Sequence, residues 1–159
     1  MNMIIRETVM IDAPIETVWE VFAEIENWTD WNPVCRECRF DAGDTLAEGA
    51  CISFELIPLI LPMRIAPVVT DFDPGRSVTW TGQKWGIRAA HTFNFEPVES
   101  QVRLESVETF SGFMLWPARL IGVPRRLHIL TRQLLFAIKT ASENRYHAIT
   151  EERTDEHRG

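Results

Sequence analysis

A chain of 159 residues that is 45% hydrophobic and 25% charged has the make-up of one globular domain with a sizeable core. Its net charge of −7 argues against a nucleic-acid partner, and no apolar run approaches the roughly 20 residues of a membrane-spanning helix. The N-terminus, Met-Asn-Met-Ile-Ile-Arg-Glu, shows no basic region followed by an apolar stretch, so no secretory signal is read and a cytoplasmic location is expected.

Residues 3–12 suit a strand, with Ile5, Val9 and Ile11 sharing a face. Pro14 stops it and opens a helix, with Glu16 where the helix dipole favours an acid. Val18, Phe22 and Ile25, with Trp19 alongside, recur at helical spacing and carry that helix to about residue 25. Asn27 is the expected cap of a second short turn through Trp31, which Pro33 ends. Residues 34–41 read as a strand and 41–44 as a turn. The strand over 50–57 sets Ile52, Phe54 and Leu56 against Cys51, Ser53 and Glu55.

Pro58, Pro62 and Pro67 make 63–72 an irregular or edge strand. A turn at 73–76 leads to a strand over 77–82 with Val78 and Trp80 together, then to one over 87–96 with His91, Phe93 and Phe95 together. After a loop at 97–101, residues 102–111 place Val102, Leu104, Ser106, Glu108 and Phe110 on one face. Pro117 and Pro124 leave a short or irregular helical piece at 113–122. The main helix runs from about 124 to 147, burying Leu127, Leu130, Leu134, Ile138 and Ala141. Residues 150–159 are polar and uncapped, a disordered tail after a single domain of residues 1–149.

Charge is uneven along the chain: residues 1–112 carry a net −10, 113–149 a net +5 and 150–159 a net −2. The terminal helix is thus a basic element on an acidic body. That arrangement reads first as intramolecular complementarity, and second as attraction for an anionic ligand or lipid head group. Cys35, Cys38 and Cys51 make no disulfide framework. Cys35 and Cys38 have redox-motif spacing, yet in a strand positions i and i+3 face opposite ways, and no helix start stands by to hold a thiolate. They read as strand-filling thiols. No cluster has metal-ligand spacing, His128 has Arg132 rather than a ligand at i+4, and no cofactor is implied.

One strand, two short helices, about six antiparallel strands and a long helix make an α+β domain. A strongly curved sheet closing over one helix is not easily filled by that helix, so an internal cavity is expected, of the kind that takes apolar molecules.

Particular residues then resemble a known family. Ala13-Pro14 before Val18-Trp19, and Trp28-x-x-Trp31-Asn-Pro33, are similar to the start of the polyketide cyclase/dehydrase and lipid-transport family of the START-like (SRPBCC) superfamily. The likeness continues in Phe72-Asp-Pro74-Gly-Arg76, His91-Thr-Phe93-Asn-Phe95-Glu-Pro97 and Glu108-Thr-Phe110-Ser-Gly112, covering roughly residues 3–146. The resemblance implies a helix-grip fold, a sheet of about seven antiparallel strands round the C-terminal helix with a deep pocket between. Members bind lipids, sterols, polyketides, plant hormones or aromatic compounds, and some are cyclases or aromatases. The signature residues are structural and name neither ligand nor reaction.

Within that frame, His91 and Glu108 form the sharpest constellation. If 87–96 and 102–111 pair as a hairpin, His91 falls opposite Ser106 or Glu108 on an apolar, inward face. The pair reads as self-satisfied structure, as an anchor for a ligand hydroxyl or carbonyl, or as an acid–base couple. Trp31, Trp80, Trp85 and Trp116 together imply an aromatic-lined cavity or lid, although each alone is a core filler. Met63 and Met114 suit an adaptable wall. The candidate ligand-binding residues are Trp31, Phe54, Leu56, Met63, Trp80, His91, Phe93, Phe95, Ser106, Glu108, Phe110, Trp116, Leu127 and Leu134. Residues 56–62 and 113–117 are apolar where loops are normally polar, and read as a lid or a homodimer contact ahead of a membrane-touching edge.

Three functions remain open: carriage of a small hydrophobic molecule, a cyclase/dehydratase or hydrolase working through His91 and Glu108, and a co-chaperone-like interaction module. The last predicts a collapsed pocket.

Overall fold

A computed structural model describes residues 2–58 and 60–156. Strands β1 (Asn2–Ile11), β2 (Arg36–Ala42), β3 (Cys51–Leu56), β4 (Met63–Ile65), β5 (Val68–Asp73), β6 (Ser77–Lys84), β7 (Ile87–Val98) and β8 (Gln101–Ser111) form one antiparallel sheet. Its order is β1-β8-β7-β6-β5-β3-β2, with β4 paired to β3 off that path. Helices α1 (Ile15–Ala23) and α2 (Trp28–Trp31) follow β1, and α3 (Leu115–Leu120) and α4 (Val123–Glu156) follow β8. The sheet curves round α4, the helix-grip arrangement that the sequence predicts.

Alternation decides which face is inward. On β8, Val102, Leu104, Ser106 and Phe110 are buried, and on β6 Val78 and Trp80 are. Helix α1 buries Val18, Val21 and Phe22 at helical spacing. The Phe22 ring lies 4.9 Å from Phe93, 5.0 Å from Phe95, 5.4 Å from Trp28 and 6.0 Å from Trp80, centroid to centroid. Mostly edge-on, these contacts favour the aromatic quadrupoles and fill one end of the grip solidly.

The far part of α4 is tied to the acidic body. Lys139 Nζ donates to the Met10 carbonyl at 2.7 Å, and the Asp12 N–H donates to Glu143 Oε1 at 2.8 Å. Arg145 Nη2 donates to Glu24 Oε2 at 2.6 Å, which holds the Glu24 carboxyl below its ordinary pKa. Such pairs are individually weak, on the order of 0–1 kcal/mol, but they fix where the helix lies.

Several expectations are corrected. Residues 63–72 are irregular as expected, split into two strands because Pro67 has no N–H to continue a ladder, but β5 lies inside the sheet rather than at its edge. The β7–β8 connection is a two-residue turn at 99–100, with Glu99 at φ 56°, in place of a loop. Asn27 caps nothing; its Nδ2 donates to Glu24 Oε2 at 3.0 Å. Where a disordered tail is expected from 150, α4 runs on to Glu156. The Thr150 and Thr154 hydroxyls donate to the carbonyls four residues back, each at 2.9 Å. Residues 157–159 of that expected tail lie outside the described residues.

Candidate functional site

Between the concave sheet and the first half of α4 lies a cavity of about 740 Å³. Nine expected residues line it: Phe54, Leu56, Met63, Trp80, His91, Glu108, Phe110, Leu127 and Leu134. Five do not. Phe93 and Phe95 share the His91 face of β7 but sit farther along, where Phe22 packs on them. Ser106 is fully buried beneath His91. Trp31, on α2, borders a separate and more open groove of about 680 Å³ between β1 and α4. Trp116 points outward from α3 and is 63% exposed. Of the other aromatics, Trp28 and Trp85 line the cavity, and so does Met114.

The register sets His91 directly opposite Glu108, and Phe93 opposite Ser106. His91 Nε2 shares a 2.7 Å hydrogen bond with Ser106 Oγ and lies 3.7 Å from Glu108 Oε1. The Phe93 ring stacks on the imidazole at 4.0 Å and fixes its plane. Burial pulls the His91 pKa below 6.5, although the Glu108 carboxylate pulls the other way. The imidazole is therefore neutral near pH 7.

Glu108 is held from the opposite wall. Thr131 on α4, itself buried, donates its hydroxyl to Glu108 Oε1 at 2.6 Å, with the Leu127 carbonyl a second acceptor at 3.0 Å. The other oxygen, Oε2, accepts no hydrogen bond among the described residues. The result is a fixed carboxylate in an otherwise apolar wall, with one oxygen left for a donor.

Arg64 on β4 also lines the cavity. Its Nη2 pairs with Glu37, while its buried Nη1 has no hydrogen-bond partner among the described residues. Sequence reading missed Arg64 because an irregular strand among prolines gives no parity by which to tell its inward side. It missed Thr131 because only apolar positions were counted on the helix, yet Thr131 stands four residues after Leu127 and was legible by that spacing.

Cys35 lines the cavity as well. Glu37, at φ 49°, interrupts the extended backbone between Cys35 and Cys38, and both thiols are buried. Burial pushes the Cys35 thiol well above its ordinary value and the Cys38 thiol up to about 11. Both stay protonated at neutral pH and are poor nucleophiles. Among the described residues no cluster of His, Cys, Asp or Glu forms a metal-binding set.

A curved antiparallel sheet gripping a long helix, with an apolar cavity between them, defines a START-like hydrophobic ligand-binding domain. The profile of the family described as "Polyketide cyclase / dehydrase and lipid transport" matches residues 3–140, and the chain belongs to that family. No curated protein matches it in sequence.

Solved structures with this fold include a START superfamily protein from Mycobacterium smegmatis, at 15% identity and TM-score 0.67, with 92% of this chain and 98% of that one covered. The Zhui aromatase/cyclase from a Streptomyces species has 13% identity and TM-score 0.71, covering 92% and 94%. A norcoclaurine synthase point mutant from Thalictrum has 12% identity and TM-score 0.69, covering 91% and 96%. At these identities the likeness is one of fold.

Proposed function

We propose that this protein binds a small, largely apolar molecule that carries a hydrogen-bond donor. The cavity walls supply most of the affinity, and Glu108, set by Thr131 and His91, orients the donor. The observation that carries this reading is the tethered Glu108 carboxylate with Oε2 open in a 740 Å³ apolar cavity. That volume falls inside the roughly 300–1,000 Å³ range of small-molecule sites. Apolar burial contributes about 25 cal/mol per Å², less the cost of immobilising the ligand. The unpartnered Arg64 Nη1 adds a second pole suited to an anionic or carbonyl oxygen. An interaction module of the co-chaperone kind calls for a collapsed interior, and this open volume favours the carrier reading.

The test is competition against a fluorescent apolar probe, anilinonaphthalene sulfonate, with phenols and alcohols set beside hydrocarbons of equal carbon number. Saturation at one probe per chain is expected, with the donor-bearing competitors stronger. Glu108→Gln and His91→Ala are expected to narrow that preference. Absence of saturable binding, or equal displacement by donors and hydrocarbons, contradicts the proposal.

A further inference from the structure

Exposed large apolar side chains are concentrated at one end of the molecule. Ile60 and Leu61, after β3, are 88% and 76% exposed. Trp85, in the β6–β7 turn, is 71% exposed, and Phe113, Trp116 and Leu120, at α3, are 79%, 63% and 71% exposed. These three segments surround one opening, since Pro58, Met63, Trp85, Met114, Pro117 and Ile121 from the same segments line the cavity. Two of them are closely packed: a β-carbon built on Gly86 lies 2.5 Å from the Phe113 ring.

The outward apolar face of α3 is regular. Phe113, Trp116 and Leu120 recur at helical spacing on one side, while Leu115 on the other side is buried. Trp85 occupies a left-handed position, φ 50°, where a β-hairpin turn favours Asn or Gly. Its ring borders the cavity mouth, lies 5.5 Å from Lys84 Nζ and is otherwise largely turned to solvent.

Charge distinguishes what covers this face. From Thr109 to Ser142 the chain has no acidic residue. Arg125 and Arg126 begin α4 beside the opening and make no ion pair among the described residues, whereas Lys139 and Arg145, farther along, are tied to carboxylates. The body is acidic, so these arginines give the mouth a local charge that favours an anionic surface. Exposed tryptophan, phenylalanine and leucine rimmed by arginine match the boundary of a bilayer, where rings sit at head-group depth and cations meet phosphates.

We infer that the cavity mouth is a docking surface for anionic phospholipid bilayers, with Trp85, Phe113, Trp116 and Leu120 entering the interface and Arg125 and Arg126 meeting the head groups. The open end of the cavity then faces the membrane, and a ligand passes between bilayer and cavity without crossing bulk water.

The test is flotation of the full chain with phosphatidylcholine vesicles, with and without phosphatidylserine. Binding to the phosphatidylserine vesicles is expected, weakened by salt, with a blue shift of tryptophan emission. Arg125→Glu with Arg126→Glu is expected to weaken it about thirty-fold or more, at roughly fivefold per arginine. Trp116→Ser with Leu120→Ser is expected to cost at least about tenfold. Phe136→Ser, at a 65% exposed site elsewhere on α4, leaves binding unchanged.

Probe binding without vesicles reports the cavity and the fold of each variant separately. Any of three results overturns the inference. One is no binding to phosphatidylserine vesicles by a chain that binds the probe. Another is equal loss from Phe136→Ser. The third is a wild-type dimer that Trp116→Ser with Leu120→Ser makes monomeric, with no vesicle binding by either.

Discussion

Replacing Gly82 with leucine should fill the cavity from its own wall. Gly82 follows Val78 and Trp80 on the inward face of β6 and borders the cavity. A β-carbon built there meets only Pro67, whose Cα and Cβ lie at 3.7 Å, an ordinary contact. Glycine inside a strand costs roughly 0.5–1 kcal/mol relative to alanine, so the variant is expected to keep or slightly raise its stability. The four side-chain carbons then occupy space that would otherwise hold about four carbons of ligand. At about 0.8 kcal/mol per buried methylene, binding should weaken by about 3 kcal/mol, or roughly two-hundred-fold in Kd. The assay is a fluorescent-probe titration beside thermal unfolding of the same samples. A cooperative variant of wild-type Tm that binds the probe with unchanged Kd would refute the assignment of the ligand to this cavity.

Three further outcomes follow from the same geometry. Thr131→Val removes the hydroxyl on Glu108, a charge-assisted bond of about 1.5–3 kcal/mol offset in part by the added methyl, so urea unfolding should show about 1–2 kcal/mol lost; an unchanged midpoint would mean that the hydroxyl does not hold Glu108. Burial keeps the His91 pKa below 6.5, so the unfolded chain takes up its proton first. Stability attributable to His91 is complete above about pH 6.5 and declines as pH falls toward the lower folded pKa. His91→Gln should flatten that decline in Tm measured across pH, and an unaltered slope would contradict it. Gly112→Ala should destabilise strongly and loosen the mouth, because a β-carbon at φ 129° would sit 2.1 Å from the Gly86 carbonyl oxygen; wild-type Tm and unchanged protease sensitivity at α3 would count against that packing.

How much of this was legible in the sequence depended on the strength of local periodicity. The β7 and β8 patterns alternate cleanly, so the inward face and the meeting of His91 with Glu108 follow from parity and hairpin pairing alone. The α1 stripe around Phe22 follows from helical spacing in the same way. Parity says which face a residue takes but not where along the strand the cavity ends. Phe93 and Phe95 therefore looked like cavity residues, although α1 fills the space above them. Trp116 was ambiguous because a six-residue helix shows too little period to tell its two faces apart. Arg64 was hidden because its strand is three residues long and flanked by prolines. Thr131 was legible as a buried position by its spacing from Leu127, but its role was not, since that depends on the carboxylate opposite it. The extension of α4 to Glu156 was unreadable from hydropathy, since an exposed helical end buries nothing.

The most direct test of the central claim, a cavity that holds a small apolar molecule, is native mass spectrometry of freshly purified full-length chain beside Gly82→Leu. Wild type should carry a discrete mass excess of one small molecule per chain, removable by organic extraction and restored by incubation with the fluorescent probe, and Gly82→Leu should run bare. A wild-type chain of bare mass both before and after incubation would contradict the account.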